Sequence, residues 1–548
     1  MRKLFAIVLT AASVSVAADN AYRSLQSGSA SGPAPLHEHG IFGQGQIIAV
    51  IDTGADYRSC VFIEPDGSAP PVNTGTPHGG LQWENVDLTR RKIVAYNFLY
   101  SCDQYPGSPG CDTFGVSGAL DNQGHGTHSA ATAAGDRETP LVHDTADGVA
   151  PGAKLIIQDG GYIGGDRCTQ FPGVGCPAKL TPIFEQAYRQ GARIHSNSWG
   201  DRQNQNPNLP TPTANYPQSA YDVDAFVWSH PDSLVIFNTG NLGQAVETPR
   251  SSLSAPGSAK NTLQIGGTRT SVADDDTLAY FTLFGPARDG RIKPDLVAPA
   301  RVLAGRGDLD GNPTTCEQWV QPGTSWASPA AAGAAALARQ YYTDGFYPTG
   351  AAVASDALHP SAALLKATLI ASARAVPRRG HPVTNRKVAA LPVPSHEQGW
   401  GFPVLDDALF FAGDARKMHV VDVPLAKGLV EGASATINLN VKSGTPLKAV
   451  LVWTDPPGHI AGVSDTSPQL VNDLDLRVTT FAGTTLGNGN TADRLNNVEV
   501  VSLDPQTSGM VSITVSAHDL RFGARQSYAL VITGDFTPMS TRARAVRH

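Results

Sequence analysis

Ile47-Ile48-Ala49-Val50-Ile51-Asp52-Thr53-Gly54 is the stretch on which the fold turns: five apolar residues with no polar alternation, closed by Asp-Thr-Gly. An uninterrupted apolar run of this length reads as a strand covered on both faces, as in a parallel sheet. Asp52 then lies at the carboxyl end of that strand, the edge where open α/β sheets place their ligands. Leu234-Val235-Ile236-Phe237 is a second run of the same kind and leads into Asn238-Thr239-Gly240-Asn241. The expectation is an α/β fold with a mostly parallel central sheet and helices on both faces.

Two further segments supply the partners that a reactive carboxylate needs. Gly124-His125-Gly126-Thr127-His128 precedes the small-residue run Ser129 to Ala134, with Gly135 at its end, so a helix is expected to open at the first imidazole. Gly323-Thr324-Ser325 precedes Trp326-Ala327-Ser328-Pro329 and the Ala-rich run from Ala330 to Leu337, which places Ser325 at a second helix start with Pro329 in the first turn. A helix amino end favours developing negative charge. A serine hydroxyl near neutral pH needs an imidazole to take its proton, and the imidazole needs a carboxylate to hold its tautomer. Asp52, His125 and Ser325 are the candidates. Acyl transfer also needs donors for the oxyanion, each worth roughly 3 to 4 kcal/mol of barrier. The Ser325 N–H is one, and a side-chain amide from Asn238 or Asn241 is another. A paired-carboxylate protease would need a second Asp-Thr-Gly or Asp-Ser-Gly, and none occurs. An α/β-hydrolase elbow would need Gly two residues after its Ser, where Ala327 stands.

The order Asp, His, Ser and the residues around each resemble the subtilisin-like serine proteases, the subtilases. Gly148-Val149-Ala150-Pro151-Gly152-Ala153-Lys154-Leu155, Asn197-Ser198-Trp199-Gly200, the stretch from Ala255 to Asn261 and Lys293-Pro294-Asp295-Leu296-Val297-Ala298-Pro299 also resemble segments of that family, in its order. The likeness runs from about residue 41 to 415 and implies a subtilisin-like catalytic domain. It further implies Asp52, His125 and Ser325 as the triad and Asn241, rather than Asn238, as the oxyanion amide. His128 is then structural. Ser198, Trp199 and Gly200 would form one wall of the primary specificity pocket, and Asn238, Thr239 and Gly240 the other. The first wall would pair with an extended substrate backbone as an added strand, a mode that reads backbone more than side chain. The implied activity is a broad serine endopeptidase acting on proteins or peptides. A transpeptidase or cyclase with the same triad, and an inactive binding module on the same scaffold, are the other readings. Many family members carry Met after the nucleophile, where sulfoxide formation harms the oxyanion site; Trp326 in its place implies slower inactivation by peroxide.

Met1-Arg2-Lys3, the apolar run from Leu4 and the small residues up to Ala18 read as a signal peptide, residues 1–18. No later stretch is long and apolar enough to span a bilayer, so a secreted protein, extracellular or periplasmic, with no membrane partner is expected. Residues 19–40, rich in Ser, Gly, Pro and Ala, read as a short flexible pro-segment or linker. No folded pro-domain fits in that length, and unaided folding is expected. Six cysteines suit an oxidising destination. Fifteen pairings are open to them. Cys102 with Cys111 and Cys168 with Cys176 each bracket a short loop, which leaves Cys60 and Cys316.

From about Met418 the pattern changes to short strand-like runs, among them Ala435 to Val441, Ala449 to Trp453, Leu474 to Val478, Val511 to Val515 and Tyr528 to Ile532. An antiparallel β-sandwich, jelly-roll-like, is expected over 416–536, with a basic tail over 537–548. Lys448 to Pro456 and Leu470 to Leu476 resemble the carboxy-terminal domain of the alkaline-protease branch of subtilases. That likeness implies a structural calcium at the acidic turn with Asp473 and Asp475 as ligands, against a solvated turn or an interdomain contact. Asp308 to Asn312 is a second acidic loop without the spacing of an EF-hand. A net charge of −7 with no basic block in the folded region argues against a nucleic-acid partner, and a monomer is expected. The Asn/Pro-rich stretch Asp201 to Gln218 is expected to be a loop bordering the cleft.

Overall fold

Ile47–Asp52 is a strand inside an eleven-stranded sheet. The structure, a computed structural model, describes residues 21–74, 81–99, 121, 124–137, 147–160, 179–200, 214–241, 251–269, 277–307, 317–380, 387–504 and 508–538. Side by side in the sheet run Val72–Thr74, Ile93–Phe98, Lys154–Asp159, Ile47–Asp52, Ile194–Asn197, Leu234–Asn238 and Leu263–Thr268, all parallel. Leu296–Pro299 pairs parallel with the last of these, while Thr277–Leu278 pairs antiparallel and Arg378–Gly380 and Lys387–Ala389 extend that edge. Both faces of the sheet are covered: Ile48 and Val50 join the main core, and Ala49 joins a separate cluster with Val94, Ala95, Ile156, Ala187 and Ala192. Burial on both sides is why these strands read as unbroken apolar runs.

The chain steps to one side after Ile47–Asp52, returns in Lys154–Asp159, and then continues on the other side with Ile194–Asn197. That reversal opens a crevice at the strands' carboxyl ends, beside Asp52 and Asn197. The helices His125–Ala134 and Thr324–Thr343 meet across their small faces. A Cβ on Gly333 would lie 2.6 Å from Val149 and 2.8 Å from the Ala133 carbonyl, so the helix can come this close only without one.

Residues 21–38 correct the reading of a flexible linker. Ala21–Ser27 is a helix whose Ala21, Tyr22 and Leu25 are buried in the main core, followed by the turn Pro35–Glu38. Gln26 Oε1 accepts from the Leu36 and His37 N–H groups at 2.9 and 3.2 Å, tying the two together. The Ser/Gly/Pro composition conceals the spacing of Tyr22 and Leu25, which is what commits the segment to the core.

Beyond residue 416 two antiparallel sheets share one core. One runs Lys417–Val423, Tyr528–Gly534, Leu447–Val452, Val498–Leu503; the other Gly483–Leu486, Asn472–Thr480, Gly509–Leu520, Ser434–Val441, Phe536–Pro538. The four-stranded sheet is buried twice. Ala449, Leu451, Leu530 and Ile532 face the core that the two antiparallel sheets share, while Val450, Val452, Ala529 and Val531 join the main core against the helix Ala362–Ala371. Among the described residues no helix is long and apolar enough to cross a membrane.

Candidate active site

Asp52 ends its strand with a saturated carboxylate. Oδ1 lies 2.6 Å from His125 Nδ1 and accepts the Thr53 N–H at 2.8 Å; Oδ2 accepts from Ser129 Oγ at 3.0 Å. The Asp52 side chain is 4% exposed and that of His125 34%, so the imidazole is the part of the pair that meets solvent. Burial pushes His125 down, but the Asp52 charge, its hydrogen bond and the Asp121 charge hold it above the ordinary histidine value.

The loop after Asp52 and the start of the His125 helix are locked together. Asp121 accepts from Thr53 Oγ1 and the Gly124 N–H through Oδ1, both at 2.9 Å, and from the Thr127 N–H and Oγ1 through Oδ2 at 2.8 and 2.9 Å. The Gly126 N–H returns to Thr53 Oγ1 at 2.9 Å. These bonds satisfy amide donors that a helix start leaves without intrahelical partners. A Cβ on Gly126 would sit 2.0 Å from the Gly54 carbonyl, so the close approach admits glycine alone.

Ser325 lies in the first turn of Thr324–Thr343, buried. The helix opens at Thr324, so Pro329 is in its second turn and not the first. Proline lacks the N–H that would bond the Ser325 carbonyl four residues earlier. Ser198 Oγ fills that place and donates to the Ser325 carbonyl at 2.6 Å. Asn241 Oδ1 accepts the Thr324 N–H at 2.8 Å and Thr324 Oγ1 at 3.0 Å, which anchors the amide oxygen and orients its NH2 group. The predicted walls follow two adjacent parallel strands: Ser198, Trp199 and Gly200 come after Ile194–Asn197, and Asn238, Thr239 and Gly240 close Leu234–Asn238. Trp199 packs edge-on against Phe237 at 5.1 Å. His128 is fully buried, driven down to about 3 by burial and then by the His125 charge, and packs against Trp326 at 4.1 Å. Trp326 in turn lies 4.9 Å from the His125 ring.

The structure thus joins Asp52 to His125 directly, and Ser325 to Ser198 and, through Thr324, to Asn241. No hydrogen bond from Ser325 Oγ to His125 is formed; in enzymes without substrate that contact is often long and tightens on binding. Asp121 and Ser129 escape sequence reasoning. Asp121 stands three residues before Gly124, a spacing suited to capping the helix; Ser129 is the one hydroxyl at a one-turn offset from His125.

Asp473 and Asp475 both accept from Arg494 Nη1, at 3.0 and 2.6 Å. Two carboxylates that already share one guanidinium fall short of the six to eight oxygens that calcium takes. Among the described residues no group of three or more His, Cys, Asp or Glu is placed to hold a metal ion. Cys60 is disulfide-bonded, and its partner lies outside the described residues. Cys102, Cys111, Cys168, Cys176, Cys316, the Asp308 to Asn312 loop, residues 1–18 and residues 539–548 of the basic tail also lie outside them, as do residues 201–213 of the expected cleft loop; residues 537 and 538 belong to the last strand instead.

The serine protease/ABC transporter B family proteins tagD and tagA of Dictyostelium discoideum are each 25% identical to this chain, over 80% and 93% of it, and the chain spans 28% and 32% of their lengths. The subtilisin-like protease SBT3 of Solanum lycopersicum is 29% identical over 29% of the chain and 20% of its own length. Among solved structures, a serine protease of Aeromonas sobria matches at 14% identity, covering 94% of this chain and 93% of that one with a TM-score of 0.38. A cold adapted subtilisin-like serine proteinase matches at 17% identity, covering 65% and 92%, also with a TM-score of 0.38. The sequence profile of the subtilase family matches residues 43–401, well over half the chain, from the strand of Asp52 past the helix of Ser325. The chain therefore belongs to the subtilase family.

Proposed function

We propose that Ser325 attacks the scissile carbonyl of an extended peptide, with His125 as its base and Asp52 as the group that holds and charges the base. The observation that carries this reading is the 2.6 Å contact between His125 Nδ1 and Asp52 Oδ1 at the carboxyl end of a central strand. With the Nδ1 proton directed at Asp52, Nε2 keeps its lone pair. It takes the Ser325 proton as the Oγ–C bond forms, then gives that proton to the leaving amine as the C–N bond breaks. Water repeats the sequence on the acyl-enzyme and restores the serine. The oxyanion is met by the Ser325 N–H and by Asn241 Nδ2, whose amide is already fixed through its oxygen. Ser198 to Gly200 and Asn238 to Gly240 flank the residue whose carbonyl is attacked and read chiefly backbone, which supports broad specificity.

Export is part of the same proposal. The basic start followed by an apolar run supports a cleaved leader, and the disulfide at Cys60 supports an oxidising compartment. The test is labelling of the purified chain with a fluorophosphonate, the modified peptide being located by mass spectrometry. Label on Ser325 that vanishes in Ser325→Ala is the expected result. A folded chain that takes no label on Ser325 overturns the assignment.

A further inference from the structure

The geometry points to Ser129 as a positioning residue that holds the second oxygen of Asp52, so that the first stays aimed at His125. The inference rests on the triad assignment above. Ser129 Oγ donates to Asp52 Oδ2 at 3.0 Å, and both residues are buried. It is the sole side-chain donor to that oxygen among the described residues, whereas Oδ1 carries His125 and the Thr53 N–H.

Helix geometry explains the placement. Residues four apart lie on one face, so His125 and Ser129 form adjacent rungs above the same carboxylate. One rigid element thereby carries both the base and the clamp that orients the base's partner. A serine inside a helix ordinarily returns its hydroxyl to a carbonyl one turn back. Here it turns outward to Asp52. The carboxylate is gripped at both oxygens, from the helix on one side and from its own loop on the other, and cannot rotate about its terminal bond without breaking one of the grips.

A hydroxyl that donates to a carboxylate also draws on its charge. Without it, the anion is left to the imidazole and the Thr53 amide, and its pull on protonated His125 grows. The other ionisable groups against this pair are Asp121, which raises His125, and His128 on the same helix, which burial keeps neutral. Neither bonds to Asp52 and neither is altered by a change at Ser129.

The experiment uses the full chain with Ser129→Ala and Ser129→Thr. Alanine is the better helix former, but it leaves the buried Asp52 Oδ2 without its donor, so the first variant loses a few degrees of Tm and stays folded at the assay temperature. The expected result for Ser129→Ala is a fall in kcat between about ten- and a hundredfold on a chromogenic peptide, the range that a small misplacement of catalytic groups costs. KM is unchanged, the fluorophosphonate rate falls in parallel, and the acid limb of the pH profile moves upward. Ser129→Thr restores both the rate and the limb. An unchanged kcat and acid limb in Ser129→Ala overturns the inference, as does a loss of rate accounted for by unfolded chain at the assay temperature. Wild-type chain that takes no label on Ser325 overturns the triad assignment and this inference together. Label on the wild type with an indifferent Ser129→Ala overturns this one alone.

Discussion

Two aspartates in this molecule each meet a basic side chain, and the two pairs are built to opposite ends. Asp455 of the carboxy-terminal region contacts Lys260 of the catalytic body, and both side chains are 0% exposed. Lys260 Nζ also reaches the carbonyls of Pro456 and Gln469 at 2.5 and 2.8 Å, which uses all three of its donors. Asp455 accepts in addition from the amides of Val471 and Asn472, and its own backbone is matched on both sides by Asn261 at 2.8 and 2.9 Å. Nothing in that pair is left to react. The Asp52 and His125 pair is similar in chemistry but keeps a third of the imidazole open, with one ring nitrogen engaged and the other without a partner among the described residues. Saturation suits a joint, and an open valence suits the base that the proposed mechanism needs.

The largest separation between the two follows from removing one partner of each. Ser325→Ala or Asp52→Asn lowers the rate by at least about ten-thousandfold with the Tm close to wild type. Asp455→Ala does the reverse. It strands a buried ammonium and destabilises the fold by about 3 to 5 kcal/mol, while the chain that remains folded labels at the wild-type rate. Replacing Lys260 and Asp455 together by Met and Leu recovers much of the lost stability, since a buried pair is often no better than apolar residues of like volume. A rate loss in Asp455→Ala at full folding would show instead that the joint feeds the site.

Much of the half that matches the subtilase profile was legible in the sequence. The apolar runs ending in Asp52 and Asn238 could be read because strands buried on both faces show no alternation, and small residues after His125 and Ser325 marked helices that pack closely. The joint at Lys260 was hidden, because the resembling stretches that contain Lys260 and Asp455 say nothing of each other and the two are brought together only by tertiary packing. The same holds in part for Asp121: three of its four acceptor bonds are local, to Gly124 and Thr127, but the fourth ties it to Thr53, 68 residues away in the chain. The carboxy-terminal sheets were readable as strands but not as a layer of the main core, although Ala449 to Val452, apolar on both faces, already carried that signal. Asp473 and Asp475 looked like ligands because an acidic turn does not announce the arginine, Arg494, that lies across from it.

pH separates the pairs next. His125 is held above its ordinary value, so its share of stability is complete below about pH 6.5 and fades as pH rises through the folded value. On the proposed mechanism activity runs the other way, because its base must be neutral: kcat/KM is expected to rise along an acid limb lying above pH 6.5. Asp52→Asn removes the largest upward influences, and what activity remains has its limb shifted to lower pH. A limb at or below pH 6 in the wild type would mean that Asp52 does not govern His125.

Arg494 offers a smaller test, at a site that resembles the joint but is exposed. Its side chain is 40% open to solvent, so its pairing with Asp473 and Asp475 is worth at most about 1 kcal/mol. Chelator leaves the wild-type Tm unchanged, Arg494→Ala lowers it by a few degrees at most, and calcium restores part of the loss once two carboxylates are left facing each other. A wild-type Tm that collapses with chelator would reinstate calcium at this turn.

The smallest effect is expected beside the open pair itself. Trp326 follows Ser325, is 3% exposed, and wedges between His125 at 4.9 Å and His128 at 4.1 Å. A thioether in that place would oxidise to a polar, larger sulfoxide against the base and the oxyanion donors. A buried indole presents peroxide with no such centre and holds the ring of His125 by contact alone. Wild-type activity is therefore expected to decline slowly in peroxide, and Trp326→Met to decline several times faster with oxidation mapped to the new side chain. Rapid loss in the wild type with Trp326 unmodified would place the vulnerable group elsewhere and leave the wedge with a packing role only.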